Sequence, residues 1–394
     1  MPKKTKIVLA ADPGSSVSKF IYKIEGEPPI ALAMSPEVAM GVSVESVEAM
    51  KKLSIGEGSP TTDAWLQIPS DSAEAVIVGH LARTQYQGDA RLDLLKYEVI
   101  IPKFLAAIGV IVQRHNLGGR LSVSFSCLLP FGEYANKNDL KSQLSEALSN
   151  FNFRGQQLKV KLDDFICFPE GGGLVTYQMG KIRDFESSLI PVVMLGHRNS
   201  SLLLFDKGQI NLKGSVTTEN GFINLMKLVC TFTSGKSPSN ELAEAIYQAG
   251  DSPQLENIAH LIRSQGEDNA RKEGESIIKA IDTARAEHWR SLKNWLDKIL
   301  PSTYSQCLLV GGVAQYFRKE LEEYFDGKAQ YSDRMISQIK EVFPDLDQGL
   351  VSRFLDVFAL YADIDHEFEP PVPKLEREQK QEQDRLIEHF AVRN

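Results

Sequence analysis

The chain of 394 residues is 42% apolar and 24% charged, long enough to bury more than one core, so a folded protein of two domains is expected. A formal net charge of −8 argues against a general electrostatic clamp on DNA and leaves only a local basic start, "MPKKTK", for an acidic partner. The four cysteines lie far apart without metal-ligand spacing, the start lacks a signal-peptide stretch, and no apolar run approaches bilayer length; reduced core cysteines, a cytoplasmic location and no membrane contact are expected.

The stretch "KIVLAADPGSSVSKFIYKIEG", Lys6 to Gly26, places a polar turn between two β-like runs. Gly14, Ser15 and Ser16 can aim backbone N–H groups and hydroxyls at one anion, and Lys19 adds a point charge for phosphate oxygens. Asp12 at the strand end can hold the water shell of Mg²⁺. An ordinary hairpin with a surface acid and lysine is the alternative reading of the same turn. Next come a strand, "AEAVIVG", and a helix, "KYEVIIPKFLAAIGVIVQRHNLGG", expected to close on its glycine pair. "RLSVSFSCLLPFGEYA" reads as a strand running into a turn, and "KNDLKSQLSEALSN" as an amphipathic helix.

A further strand, "LDDFICF", runs into "PEGGGLVTYQMG", which sets Glu170 at a strand end beside three glycines. A carboxylate there can orient or deprotonate an attacking water, and a flexible surface turn is the bland alternative. "LIPVVMLGHRNSSLLLFDKGQI" repeats the opening arrangement of strand, polar turn, strand, and its His197 and Arg198 can touch phosphate, a solvated turn being the commoner alternative.

From Gly221 to Leu300 the pattern is helical, with N-cap residues in "SPSNELAEAI" and "DSPQLENIAHLI". "TSGKSPS" within it ends like a phosphate-binding P-loop, but the motif's leading glycine falls on Cys230 and no buried strand leads in, so it is set aside. Trp289 and Trp295 read as core or contact residues. "SQCLLVGGVAQYFRKELEEYF" passes a strand through Gly311 and Gly312 into a helix opening on Ala314, a phosphate or sugar platform unless the glycines serve packing alone. Beyond Tyr361 the chain is charged and Pro-containing and reads as an appended tail.

The order of these motifs resembles the actin, sugar-kinase and heat-shock-chaperone ATPase superfamily. "DPGSSVSK" looks like its first phosphate loop, "PEGGGLVTY" its connecting segment, "MLGHRNSSLLLF" its second phosphate loop and "LLVGGVAQYF" its adenosine motif. "CLLPFGEYANKNDLKSQL" and "ARLDLLKYEVIIPKFLAAIGV" look most like the bacterial plasmid-segregation actins, the ParM/StbA family. The resemblance implies an α/β, actin-like (ribonuclease-H-like) fold with a nucleotide cleft between domain I (1–185) and domain II (186–361), a helical insertion at about 221–300 in the second, and a tail from 362 to 394.

It further implies ATP and Mg²⁺ as cofactors, with Asp12 near the hydrated metal, Gly14, Ser15 and Ser16 on phosphate, and Lys19 on the terminal phosphates. Glu170 would position the lytic water, Gly196 and His197 would form the second phosphate turn, and Gly311 with Gly312 would hold the adenosine. Where that family carries aspartates in the second loop, this chain has Met194 and Ser201, so weaker metal binding or slow hydrolysis to ADP and phosphate is expected. Nucleotide-dependent filaments of the chain itself, positioning plasmid DNA through an adaptor, are the implied function. A nucleotide-binding structural protein with impaired hydrolysis and a small-molecule kinase of the same superfamily are the alternatives.

Overall fold

The computed structural model describes residues 4–53, 56, 58–90, 94–178 and 187–373. Strands Lys4–Pro13 and Ser18–Ile24 form the opening hairpin, in a register that sets Asp12 opposite Lys19. Arg120–Leu129 runs parallel beside the first strand, Val160–Pro169 parallel beside that, and Ile30–Met34 closes the other edge. Because the three long strands are parallel, their carboxyl ends share one edge, which brings Asp12 and Glu170 to the same rim.

The second sheet repeats this plan. Leu189–Leu195 and Ser200–Asp206 form an antiparallel hairpin, Gln209–Ile210 and Val216–Thr218 pair with its second strand, and Cys307–Val310 and Ala329–Gln330 continue in parallel from its first. Its carboxyl rim carries Met194 and, in register beside it, Val310 followed by Gly311. A third, antiparallel sheet joins Val38–Ser43, Glu74–Val78, Ala64–Gln67, Phe151–Phe153 and Gln156–Leu158. Ala10, Ile21 and Leu128 of the first sheet and Val192, Leu203 and Leu308 of the second share one buried cluster with the helices Gly172–Gln178 and Leu355–Ile364.

Residues 222–299 fold as the helices Phe222–Phe232, Asn240–Ala249, Leu255–Ile258 and Glu267–Ile299, with a short 3-10 turn at Ala259–Leu261. Their apolar faces meet Val193, Leu195 and Leu202 in a separate core. Trp289 stacks on Phe317 with ring centroids 5.7 Å apart, the contact role expected of it. The P-loop look-alike follows a helix, and its Lys236 pairs with Glu273 at 2.9 Å. The four cysteines are free thiols, three of them buried. Among the described residues no helix is long and apolar enough to cross a membrane.

Four local expectations change. The helix Lys96–Arg114 ends at Asn116, whose φ of 49° reverses the chain, with Leu117 N–H returning to Val112 O at 2.9 Å; the glycine pair lies beyond this Schellman-type stop. Ser239 caps its helix as expected, accepting from Leu242 N–H, whereas the next helix is capped by Gln254 and not by the preceding acid or serine. The helix after the glycine pair opens on Gly312, two residues before Ala314. The start of the expected tail is part of the body: Asp365 is buried, receives Lys23 at 3.1 Å and Tyr361 at 2.5 Å, and Phe368 meets Tyr361 at 5.0 Å. The rest of that tail, from 374, and the first three residues of the basic start lie outside the described residues.

One glycine shows how tightly the first core is built. A Cβ on Gly109 would lie 2.2 Å from the Phe153 ring, so the missing side chain lets the helix Lys96–Arg114 press onto the third sheet. Gly109→Ala should therefore cost about 1–3 kcal/mol in a urea titration, while Gly118→Ala, whose Cβ would meet nothing, stays within about 0.5 kcal/mol of wild type. Equal stability of the two variants would contradict this packing.

Candidate functional site

The two hairpin turns are built alike. A Cβ on Gly14 would stand 2.8 Å from Val17 O, and one on Gly196 would stand 2.9 Å from Asn199 O. Each glycine thus lets its turn fold back on itself, with Gly14 N–H donating to Asp12 O at 2.8 Å and Gly196 N–H to Asn199 O at 3.0 Å. The turn at Gly196 also caps the next helix: Phe222 N–H donates to Gly196 O at 3.1 Å and Ile223 N–H to His197 O at 2.9 Å. Gly221 permits that approach, since a Cβ there would meet Arg198 at 2.2 Å.

Between the turns lies a small chamber lined by Asp12, Gly14, Ser15, Ser16, Lys19, Glu170, Met194, Gly196, His197 and Arg198, with Lys96 and Lys103 added to the residues the sequence singled out. It adjoins a cavity of about 670 Å³ that Asp12, Ser16, Lys19, Met194, Gly196 and His197 also line and that Gly311, Gly312, Tyr247, Arg353 and Asp356 complete. Every site residue expected from the sequence therefore borders one of two connected spaces at the carboxyl rims of the two sheets, where open α/β folds place their ligands. The glycine pair divides its work. Gly311, at φ 96°, is required because its Cβ would strike Leu195 O at 2.2 Å, whereas a Cβ on Gly312 would point at Arg353 and Tyr247 from 3.7 and 3.9 Å.

The centre of the chamber is a charge cluster that the sequence did not disclose. Lys96 Nζ donates to Asp12 Oδ1 at 3.0 Å and to Glu170 Oε1 at 2.6 Å, and Lys19 Nζ donates to the other oxygen of Asp12. Burial alone would raise the Asp12 pKa, but the two ammonium groups outweigh it and hold the carboxyl far below the usual range. Burial would likewise lower that of Lys96, and Asp12 and Glu170 reverse the effect. Lys96 is the first residue of its helix, where the macrodipole disfavours a cation; Glu98 and Glu133, accepting from the N–H groups of Leu95 and Tyr97, offset part of that cost. Seven residues on, and so on the same helical face, Lys103 is 3% exposed with no hydrogen-bond or ion-pair partner among the described residues. Burial, then the neighbouring Lys96 charge, bring its pKa down to about 8.

Several expected roles shift. His197 is held neutral, its pKa lowered to about 4 by burial and by Arg353, so it brings a hydrogen-bonding group and not a charge to the chamber. Arg198 donates to Leu94 O at 2.6 Å, tethering the second turn to the first half of the molecule. Ser201 is 2% exposed and hydrogen-bonds Thr217, its partner on the neighbouring strand, at 2.9 Å, outside the chamber. Met194 is half-buried, lines both spaces and also packs on the core between the sheets. The residues present do not fit a resident Mg²⁺: both oxygens of Asp12 are taken by lysines, Glu170 is held by Lys96, and a methionine faces them. No group of three or more His, Cys, Asp or Glu side chains able to hold a metal occurs among the described residues.

Arg353 and Asp356 bring the end of the chain into the site. Arg353 donates to Ser16 Oγ of the first turn. Asp356 accepts Gly171 N–H at 2.6 Å, while its other oxygen is buried without a partner. Burial, only partly relieved by that N–H, raises the Asp356 pKa to about 7, and the charges of Asp12 and Glu170 add to the rise.

No family model and no curated protein matches the sequence. The fold matches solved actin-like structures. A ParM filament from Clostridium botulinum aligns over 92% of this chain and 99% of its own at 15% identity and a TM-score of 0.61. The actin-like protein Alp7A aligns over 97% and 100% at 15% identity and 0.63, and an archaeal actin homologue in complex with ADP over 92% and 100% at 14% and 0.56. The chain thus has the mixed α/β, actin-like fold expected from its motifs.

A carboxyl whose pKa is raised in the folded state stabilises the fold below its unfolded value near 4 and loses that contribution as pH rises through about 7. Asp356→Asn keeps an acceptor for Gly171 and cannot ionise. Relative to that variant, wild type should lose up to about 4 kcal/mol between pH 4 and pH 8 in urea titrations. A difference that stays constant with pH would contradict the buried, like-charged setting of Asp356.

Proposed function

We propose that the chain binds ATP in the cleft between its two sheets and assembles head to tail into nucleotide-dependent filaments that position plasmid DNA through an adaptor protein. The observation that carries the reading is the pair of matching glycine turns facing one lysine-lined chamber, with Gly312 and Arg353 at the adjoining cavity. Polyphosphate would lie between the turns, its base and sugar in the larger space beside Tyr247 and Gly312. A ligand touching both turns favours closure of the two halves, the usual coupling of a nucleotide to a hinged fold. Filament formation and the plasmid role draw on the fold's likeness to ParM and Alp7A proteins, and head-to-tail contacts are of the kind that generate fibres.

Glu170 is the group we assign to the attacking water. Its bond to Lys96 favours a second reading beside the first, a nucleotide-binding scaffold in which hydrolysis is slow because that carboxylate is engaged. In either reading Met194 contributes apolar wall and no metal ligand.

Sedimentation and electron microscopy should show filaments with ATP and only small species without nucleotide; monomers under all nucleotides and concentrations would overturn the assembly reading. Lys19→Ala should weaken ATP binding by about 1.5–3 kcal/mol in calorimetry, the worth of a charge-assisted contact, and unchanged affinity would remove Lys19 from the site. Glu170→Gln should leave affinity within about threefold and slow turnover about a hundredfold. Lost binding with normal turnover per bound nucleotide would show that Glu170 binds nucleotide and does not act on water.

A further inference from the structure

We propose that the phosphate chamber works without a divalent metal: Lys19, Lys96 and Lys103 supply the positive charge that a bound nucleoside triphosphate needs. The inference rests on the nucleotide reading above and concerns how that site neutralises its ligand. Three ammonium groups border the chamber against two carboxylates, Asp12 and Glu170, and both carboxylates already face lysine. A hydrated divalent ion would have to share Asp12 with two ammonium groups that already neutralise it, and it would find Met194 where a second carboxylate is needed.

Lys103 points the same way by an independent observation. An ammonium 3% exposed with no hydrogen-bond or ion-pair partner among the described residues is costly to keep, and the charge of Lys96 makes it more so, while the carboxylates of Glu37 and Asp12 offset only part of the cost. An anion entering between Gly14 and Gly196 would reverse both costs. The burial that drives the pKa of Lys103 down to about 8 in the free protein would then be offset by phosphate charge, and binding would take up the fraction of a proton missing near neutral pH. Lys19 comes from a strand, while Lys96 and Lys103 share one helical face, so the three donors are carried by two regular elements and not by a loop. Lysine suits this use, since its three donors rotate freely around a point charge.

The test is calorimetric titration of the full chain with ATP, once with excess Mg²⁺ and once with EDTA. Affinity in EDTA should remain within about threefold of that in Mg²⁺. A loss beyond about tenfold in EDTA would overturn the metal-independent site and leave the nucleotide reading standing; absence of binding in both would overturn both. Lys103→Met replaces an unpaired buried charge by an apolar side chain of similar length, so the variant should fold at least as stably as wild type. Its affinity for ATP in EDTA should fall about tenfold, and an unchanged affinity would overturn the role given to Lys103.

Discussion

The cleft is organised around one buried ammonium. Lys96 joins the end of the first strand, through Asp12, to the segment after Val160–Pro169, through Glu170, and it does so from the first turn of the helix Lys96–Arg114. Removing these charges from water is expensive, and the exchange is tolerable only because each has a partner at hydrogen-bond distance. Deleting one member would strand the others, so the position of Glu170 depends on Lys96 as much as on its own strand. The same bond engages the acid proposed to act on water, so in that proposal a single contact would link architecture to chemical restraint.

Around that centre the two halves are tied by polar links across the cleft and not by apolar surface alone. Arg198 reaches Leu94 O, Asn240 donates to the buried Glu37, and Arg353 donates to Ser16. Two of these links touch the turns where phosphate would lie, so ligand entry would compete directly with contacts that set the cleft's opening. Asp356 holds Gly171, the φ 83° residue next to Glu170, and ties the connecting segment to the helix between the sheets. Short polar contacts of this sort exchange easily with a ligand, whereas Ala10, Val192 and Phe358 share a buried apolar core between the two sheets.

Both hairpins, the acid beside three glycines and the strand leading to Gly311 were legible in sequence because each is a local pattern of burial and turn chemistry. Lys96 was not, since its partners lie 84 and 74 residues away and its own surroundings read simply as a helix. Arg353 meets Ser16 across 337 residues and lies in a stretch with no motif. The one available signal was a lysine at a helix start, where the dipole disfavours it. Helix ends went astray for a related reason. Glycines after "RHN" suggested a stop, yet Asn116 tolerates the left-handed conformation and stops the helix first. The buried acid Asp365, read as part of a solvated tail, finds Lys23 342 residues earlier.

The proposed nucleotide site stands on phosphate lying between the two glycine turns with Lys96 still bridging Asp12. A crystal structure with a non-hydrolysable ATP analogue tests it most directly. Phosphate oxygens within hydrogen-bond distance of the Gly14–Ser16 and Gly196–His197 backbones, with Lys96 and Lys103 at the same anion, is the result predicted. Phosphate density elsewhere, or a metal ion seated on Asp12 with Lys96 displaced, would contradict it.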